Sequence, residues 1–208
     1  MPRKRIKKTI KKWKQYSEIS DVASITRRYF VMNAFDGALT MLGVVIGAYV
    51  SGLIENPTVI ISAGIAGSIA MGASGMSGAY MTEKAERTKK MKDLEKAMLT
   101  DMKNGLHDRS HRFAAYFAAI VDGVSPALAA MIVISPFFLV NRGVITAEIA
   151  FFSTIAITLV VLLLLGVYLS RISDESMIKY GIMMLGVGLL TAFICIVTSI
   201  LLGGHIST

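Results

Sequence analysis

Long, uninterrupted runs of apolar residues dominate the chain, and short polar segments separate them. Five runs are long enough to cross a bilayer, because a helix of about 20 residues spans the ~30 Å of hydrocarbon. They cover residues 29–50, 58–81, 113–140, 144–170 and 177–202. Their apolar residues are continuous rather than alternating, which is typical of membrane helices and not of barrel strands. The pattern predicts an all-α integral membrane protein with five transmembrane helices.

The basic residues between the runs predict the orientation of the chain. The sequence has 22 Lys and Arg residues, and 21 of them lie before the first run, between the second and third, or between the fourth and the first residues of the fifth, where Lys179 is located. These segments share one side of the membrane, and only Arg142 falls on the other. Because basic residues accumulate in cytoplasmic segments, we expect the N-terminus in the cytoplasm and the C-terminus outside. The net charge of +8 then reflects orientation, and no nucleic-acid partner is expected.

Residues 1–28 form a basic segment ahead of the first run. Its apolar residues recur every three or four positions, at Ile6, Ile10, Trp13 and Tyr16. On a helix this spacing produces one apolar stripe flanked by lysines, which favours binding to membrane lipids of the anionic cytoplasmic leaflet. The alternative is a disordered basic tail that only sets orientation. Residues 29–208 are expected to form the five-helix membrane domain, with a short helical cytoplasmic connection at 82–112.

The second run is crowded with Gly, Ala and Ser, and Gly64, Ser68 and Gly72 recur at four-residue intervals. Small residues allow helix backbones to approach closely in lipid. We therefore expect this helix at the centre of the bundle or at a dimer interface. The only cysteine, Cys195, cannot form a disulfide or a cysteine-based metal site within one chain.

Two aspartates lie inside predicted membrane helices, each directly before a glycine. A charged side chain at the bilayer centre costs about 2.5–3.5 kcal/mol and is a functional candidate by default. Asp36 lies about two turns into the first run, with Met32 and Asn33 on the same face. Asp122 lies in the third run, where Gly123 and Pro126 loosen the helix. For both aspartates, the alternative is a structural hydrogen bond to a neighbouring helix.

Two stretches, within and just beyond the first two runs, read "NAFDGALTMLGVVIGAYVSG" and "GIAGSIAMGASGMSGAYMTEKAE". Their order, in adjacent spans of a five-span chain, resembles the vacuolar iron transporter family, whose first span carries a DGLT-type motif and whose second carries an SMG motif. The resemblance implies that Asp36 and Met71 line a metal pathway between the two protomers of a homodimer. It also implies transport of Fe2+, or a similar ion such as Mn2+, out of the cytoplasm.

This chain departs from the family pattern at three places. Ala38 interrupts the first motif, and Ala63 replaces a pathway glutamate that the family carries before its methionine. The inserted cytoplasmic domain of many members is absent or reduced to a short helical connection. Glu83 and Glu86, just after the second run, are the candidates there for metal capture, and Glu95 is a secondary one. A solvated helix with paired Glu and Lys residues is the alternative for this segment.

These observations favour a divalent-metal transporter, not an enzyme, in a prokaryotic plasma membrane. No permanently bound cofactor is expected, because the metal is the cargo. Two copies of Asp36 facing one pathway would hold either protons or a metal ion, which favours proton antiport. Two alternatives remain: a membrane enzyme that acts on lipid head groups with a divalent metal, and a structural membrane protein without a substrate.

Overall fold

A computed structural model describes residues 22–99 and 106–203 of the chain. Within these residues it contains five helices and no strands. The helices are α1 (Val22–Val50), α2 (Pro57–Met98), α3 (Leu106–Asn141), α4 (Ala147–Ser173) and α5 (Met177–Leu201). All five are long and apolar enough to cross a membrane, which confirms the predicted fold class. The apolar stripe predicted between Ile6 and Tyr16 lies outside the described residues.

Local sequence signals account for several of the helix ends. The α4 helix begins after Thr146, whose side-chain oxygen accepts a hydrogen bond from the backbone N–H of Ile149. Asp174 caps its C-terminus: this residue adopts the left-handed conformation (φ 52°) and donates its backbone N–H to the carbonyl of Ser170. Gly52 and Gly143 supply the positive φ values that the turns after α1 and α3 require.

The α2 helix continues well past the end of its apolar run, to Met98. The continuation from residue 82 contains no Gly or Pro and is rich in strong helix formers. An ion pair of 2.9 Å between Glu86 and Lys90 adds support at the i, i+4 spacing. Since α3 begins at Leu106, only residues 99–105 separate the two helices.

Two compact units divide the chain. The described part of the first unit consists of residues up to Phe30 together with Ala73–Val124, and the second consists of Val31–Gly72 together with the residues from Ser125 onward. Apolar clusters fill the second unit, and their largest fully buried side chains include Phe137, Met41 and Ile46. A buried hydrogen bond from Thr154 Oγ1 to the carbonyl oxygen of Val133 links α4 to α3.

In the second unit, α1 meets α3 at a glycine. A Cβ atom on Gly37 would overlap the backbone of Pro126, so any larger residue at this position would push the two helices apart. This close approach explains the glycine of the Asp36-Gly37 pair. By contrast, α5 has only two buried residues, Gly181 and Gly188. Most of its apolar surface is therefore open on the single chain.

Replacing Gly37 by Ala is expected to lower the free energy of unfolding by about 1–3 kcal/mol, because the added methyl group overpacks the contact with Pro126. Thermal unfolding of the detergent-solubilised protein measures the effect. Gly47 lies on the same helix with no heavy atom within 4 Å of an added Cβ, so Gly47→Ala is the matched control and should cause no loss. Equal losses in both variants would contradict the assigned role of Gly37.

Candidate functional site

Asp36 is exposed on the surface of the single chain although it lies inside a membrane helix. Met32, one turn earlier, is 51% exposed, and Thr40, one turn later, is also exposed. Asn33 beside them is half-buried. The structure therefore places Met32, Asn33 and Asp36 along one side of α1, as the sequence predicted. The carboxylate is accessible to an ion, to water or to a second protein chain.

The packing of α1 explains why Asp36 faces outward. Ala38, two residues later and on the opposite side of the helix, is fully buried. Gly37 lies against Pro126 on α3. These two contacts fix the rotation of α1 about its axis. The carboxylate is thereby left on the outer surface of the second unit.

Met71, the other residue that the resemblance assigns to the pathway, is half-buried on α2. Its side chain packs against the buried cluster that contains Ala38 and Met41. Met76, which has no counterpart in the resemblance, is 43% exposed. The cavity that would join Asp36 to Met71 stays a prediction.

Asp122 has different surroundings from Asp36, although both precede a glycine. Its side chain is buried in the first unit. A Cβ atom on Gly75 would lie 2.7 Å from Asp122 Oδ2, so the carboxylate of α3 rests directly on the backbone of α2. This contact favours a role for Asp122 in packing α3 against α2.

Glu83 is buried, and protein groups bond both of its carboxylate oxygens. The Tyr29 hydroxyl donates a hydrogen bond of 3.2 Å to Oε1. The Arg87 Nε donates one of 3.0 Å to Oε2, and Arg87 is itself buried. In this arrangement Arg87 compensates the charge of Glu83, and neither oxygen is open to a metal ion.

Glu86 and Glu95 lie on the same helix as Glu83 in different surroundings. Glu86 is exposed and forms its ion pair with Lys90 at the surface. The hydrogen bond and positive charge of Lys90 hold the pKa of Glu86 below its ordinary value, so Glu86 is ionised at neutral pH. Glu95 is half-buried and lines a cavity whose other charged residues are basic. Of the three, Glu86 is the carboxylate most open to an approaching cation.

No three His, Cys, Asp or Glu side chains come together to form a metal-binding group in the part of the chain that the structure describes. Sequence reasoning also missed two residues of this region, Tyr29 and Arg87. The i, i+4 spacing of Glu83 and Arg87 was a signal for their ion pair. The hydrogen bond from Tyr29 spans 54 positions of the sequence, and no local pattern indicates it.

Five apolar helices with few charged groups inside them define the class of this molecule. It is an integral, multi-pass membrane protein. Comparison with known proteins adds the family: the model of the VIT family matches residues 85–199. The protein is also 35% identical over 173 residues to an uncharacterized protein of Methanocaldococcus jannaschii, a match that covers 81% of this chain and 85% of the relative.

The chain therefore belongs to the VIT family and is a short member of it. The family match covers mainly the last three spans, where the resemblance had depended on hydropathy and on the region of Gly123 and Pro126, whereas the two quoted motifs lie in the first two spans. The VIT family is a transporter family, and membership indicates transport of metal ions across a membrane. The archaeal relative fits a prokaryotic membrane.

The variant Arg87→Met should lower the free energy of unfolding by about 3–5 kcal/mol, because it leaves the buried carboxylate of Glu83 without its counter-charge. Thermal or denaturant unfolding in detergent measures the loss, and the double variant Glu83→Gln/Arg87→Met should recover part of it. Lys90→Met removes the exposed partner of Glu86 on the same helix and should change stability by about 0.5 kcal/mol or less. Similar losses in Arg87→Met and Lys90→Met would show that burial does not determine how much these ion pairs contribute to the free energy of unfolding.

Proposed function

We propose that the protein exports Fe2+ or Mn2+ from the cytoplasm as a homodimer, in exchange for protons, with Asp36 as the central acid of the pathway. Membership of the VIT family supports transport of metal ions. The observation that carries the proposal is the exposed position of Asp36 within a membrane helix. The proposed direction follows from the family resemblance and from the basic residues that predict a cytoplasmic N-terminus.

An exposed carboxylate at this depth favours a partner chain. Facing lipid, it would cost about 2.5–3.5 kcal/mol, whereas a second protomer or a water-filled pathway would remove that cost. The α2 helix supports the same conclusion, because only 22% of its membrane window is buried in the single chain. Ala63, Ala66 and Ala70 lie exposed along it at helical spacing. Such small residues allow a second helix to approach closely in lipid.

The side chains near Asp36 suit a transition metal. Carboxylate oxygens bind most divalent ions, whereas the thioether of methionine favours softer ones. Met32 is exposed one turn from Asp36. Met71 is the thioether that the resemblance assigns to the pathway. A dimer with both copies of Asp36 on its axis would supply two carboxylates and several sulfur atoms, and Ca2+ and Mg2+ would gain little from the sulfur.

Metal binding at Asp36 would be linked to proton release. A carboxylate must be deprotonated to bind a metal ion, so binding displaces protons and depends on pH. Two neighbouring carboxylates would titrate as a unit. Metal and protons would therefore compete for one site. A proton gradient directed into the cytoplasm could then drive metal outward.

Capture at the cytoplasmic side is assigned first to Glu86. It is ionised and exposed, and surface ion pairs such as its contact with Lys90 are weak enough to be displaced. Glu83 could join it only after Arg87 releases Oε2. The contribution of Glu83 to capture would therefore require a local rearrangement of the first unit.

We expect Asp36→Asn to abolish Fe2+ and Mn2+ transport in proteoliposomes, because the amide cannot offer an anionic ligand. Asp174→Asn, at the exposed C-terminal cap of α4, is the control for the same chemical change and should transport normally. Comparing Fe2+, Mn2+, Co2+, Zn2+ and Ca2+ on the native protein measures selectivity. Native rates in Asp36→Asn would contradict the proposal.

Proton coupling is tested in the same vesicles, loaded with a pH-sensitive dye and with the membrane potential clamped. An imposed metal gradient should move protons in the opposite direction in the native protein and in Asp174→Asn, and not in Asp36→Asn. Metal flux with no pH change, and with no dependence on the pH gradient, would contradict antiport and indicate a passive metal channel.

The variant Glu86→Gln should raise the metal concentration required for half-maximal transport several-fold and leave the maximal rate nearly unchanged, since capture precedes passage through the membrane. Glu175→Gln, which breaks the comparable exposed pair with Lys179, is the control. The measurement is initial uptake rate against metal concentration. An unchanged concentration dependence would assign Glu86 to the solvated surface of the helix.

A further inference from the structure

A cavity of about 450 Å³ lies in the first unit, between the continuation of α2 and the first turns of α3. It is separate from the carboxylates assigned to metal transport, apart from Glu95. Four of its lining residues are basic and one is acidic. The basic residues and the aromatic residues beside them are Lys84, Arg87, Lys92, Arg112, Tyr80 and Tyr116. The lining therefore favours an anionic ligand.

Two lysines give this cavity much of its positive charge. The ion pairs described in the continuation of α2 join Arg87 to Glu83 and Lys90 to Glu86, and neither Lys84 nor Lys92 takes part in them. Lys84 and Lys92 also line a second, adjoining cavity of about 620 Å³ on the same helix. The two cavities share four lining residues of α2, which are Tyr80, Lys84, Thr88 and Lys92, so both lysines border the same stretch of the helix.

Aromatic residues place the cavity at the edge of the apolar part of the helices. Tyr80 lies at the end of the apolar run of α2, and Tyr116 lies near the start of that of α3. Their rings are 5.1 Å apart, and Lys84 Nζ lies 5.5 Å from the centre of the Tyr80 ring. Tyrosines concentrate at the level of lipid head groups, where an apolar ring and a polar hydroxyl are both accommodated. The same level holds the phosphates of the membrane.

We propose that this cavity binds the phosphate head group of an anionic phospholipid. Lysine and arginine form strong, charge-assisted hydrogen bonds with phosphate, and basic pockets at the membrane surface are suited to anionic head groups. The lining also includes the apolar side chains of Met91 and Ala115, which can contact the carbon atoms of the glycerol and the first part of an acyl chain. A soluble phosphate ion has no carbon atoms that could pack against these apolar side chains. The apolar part of the lining therefore favours a lipid as the source of the anion.

Arg87 connects this site to the buried carboxylate of Glu83. Its Nε donates to Glu83, and its side chain also lines the cavity. The guanidinium has five N–H donors in a fixed arrangement, so one arginine has the capacity to bond a carboxylate and a phosphate together. A bound head group would thus hold the continuation of α2 against α3 at the membrane surface.

The test measures lipid binding by the purified full chain, stripped of lipid in a neutral detergent. Dioleoylphosphatidylglycerol and dioleoylphosphatidylcholine are added separately, and retained lipid is counted by native mass spectrometry and by the rise in unfolding temperature. We expect the anionic lipid to be retained, and Lys84→Gln/Lys92→Gln to weaken its binding about tenfold. The double variant Lys90→Gln/Lys96→Gln removes the same charge from the same helix outside both cavities and should bind as the native protein does.

Two further measurements keep the result interpretable. Lys84→Arg/Lys92→Arg preserves the charge and should retain the lipid, which separates loss of the site from loss of folding. Inorganic phosphate and glycerophosphoglycerol test a soluble anion as the ligand. Equal binding of both lipids, equal loss in both glutamine double variants, or binding of either soluble anion as tightly as the lipid would overturn the proposal. Because the readout is lipid retention, the result is independent of whether the protein transports metal.

Discussion

Hydrocarbon offers no water to a polar group, so each backbone or side-chain polar atom inside the membrane must find a partner in the protein. The five helices meet this requirement for the backbone. Two buried hydroxyl groups within the apolar runs follow the same rule: Ser68 donates to the carbonyl oxygen of Gly64, and Thr158 donates to that of Thr154. The exposed carboxylate of Asp36 does not fit this pattern within a single chain. The proposed dimer and the proposed metal pathway are both argued from Asp36, because each would give its carboxylate a partner.

Hydropathy predicted the number and type of the helices correctly, because the bilayer imposes one length and one kind of backbone on each span. It did not predict where α2 ends. The residues after Met81 are polar, and polarity ends an apolar run without ending a helix. Helix propensity and paired charges carry α2 on to Met98. The α1 helix likewise extends beyond its apolar run, because it begins at Val22 whereas the run begins at residue 29.

The candidate site was less predictable than the fold, since burial depends on neighbours that are remote in the sequence. Asp36 and Asp122 share a local pattern, yet one is exposed and the other lies against Gly75. Glu83 and Glu86 are three residues apart on one helix, yet only Glu83 meets Tyr29 and Arg87. The motifs identified Asp36 and Met71 as pathway candidates. They contained no information about which carboxylates the fold would enclose.

The sparse packing of α5 has a consequence for how this part of the chain can evolve. Its two buried residues, Gly181 and Gly188, are seven positions apart and so recur on one side of the helix. A Cβ atom at Gly188 would overlap the side chain of Leu162, and one at Gly181 would lie 3.0 Å from that of Leu163. Both contacts are with the ends of flexible leucine side chains, so a larger residue at either position would require those side chains to move. Across descendants of this gene, small residues at this seven-residue spacing are therefore expected to recur wherever the contact of α5 with α4 is kept.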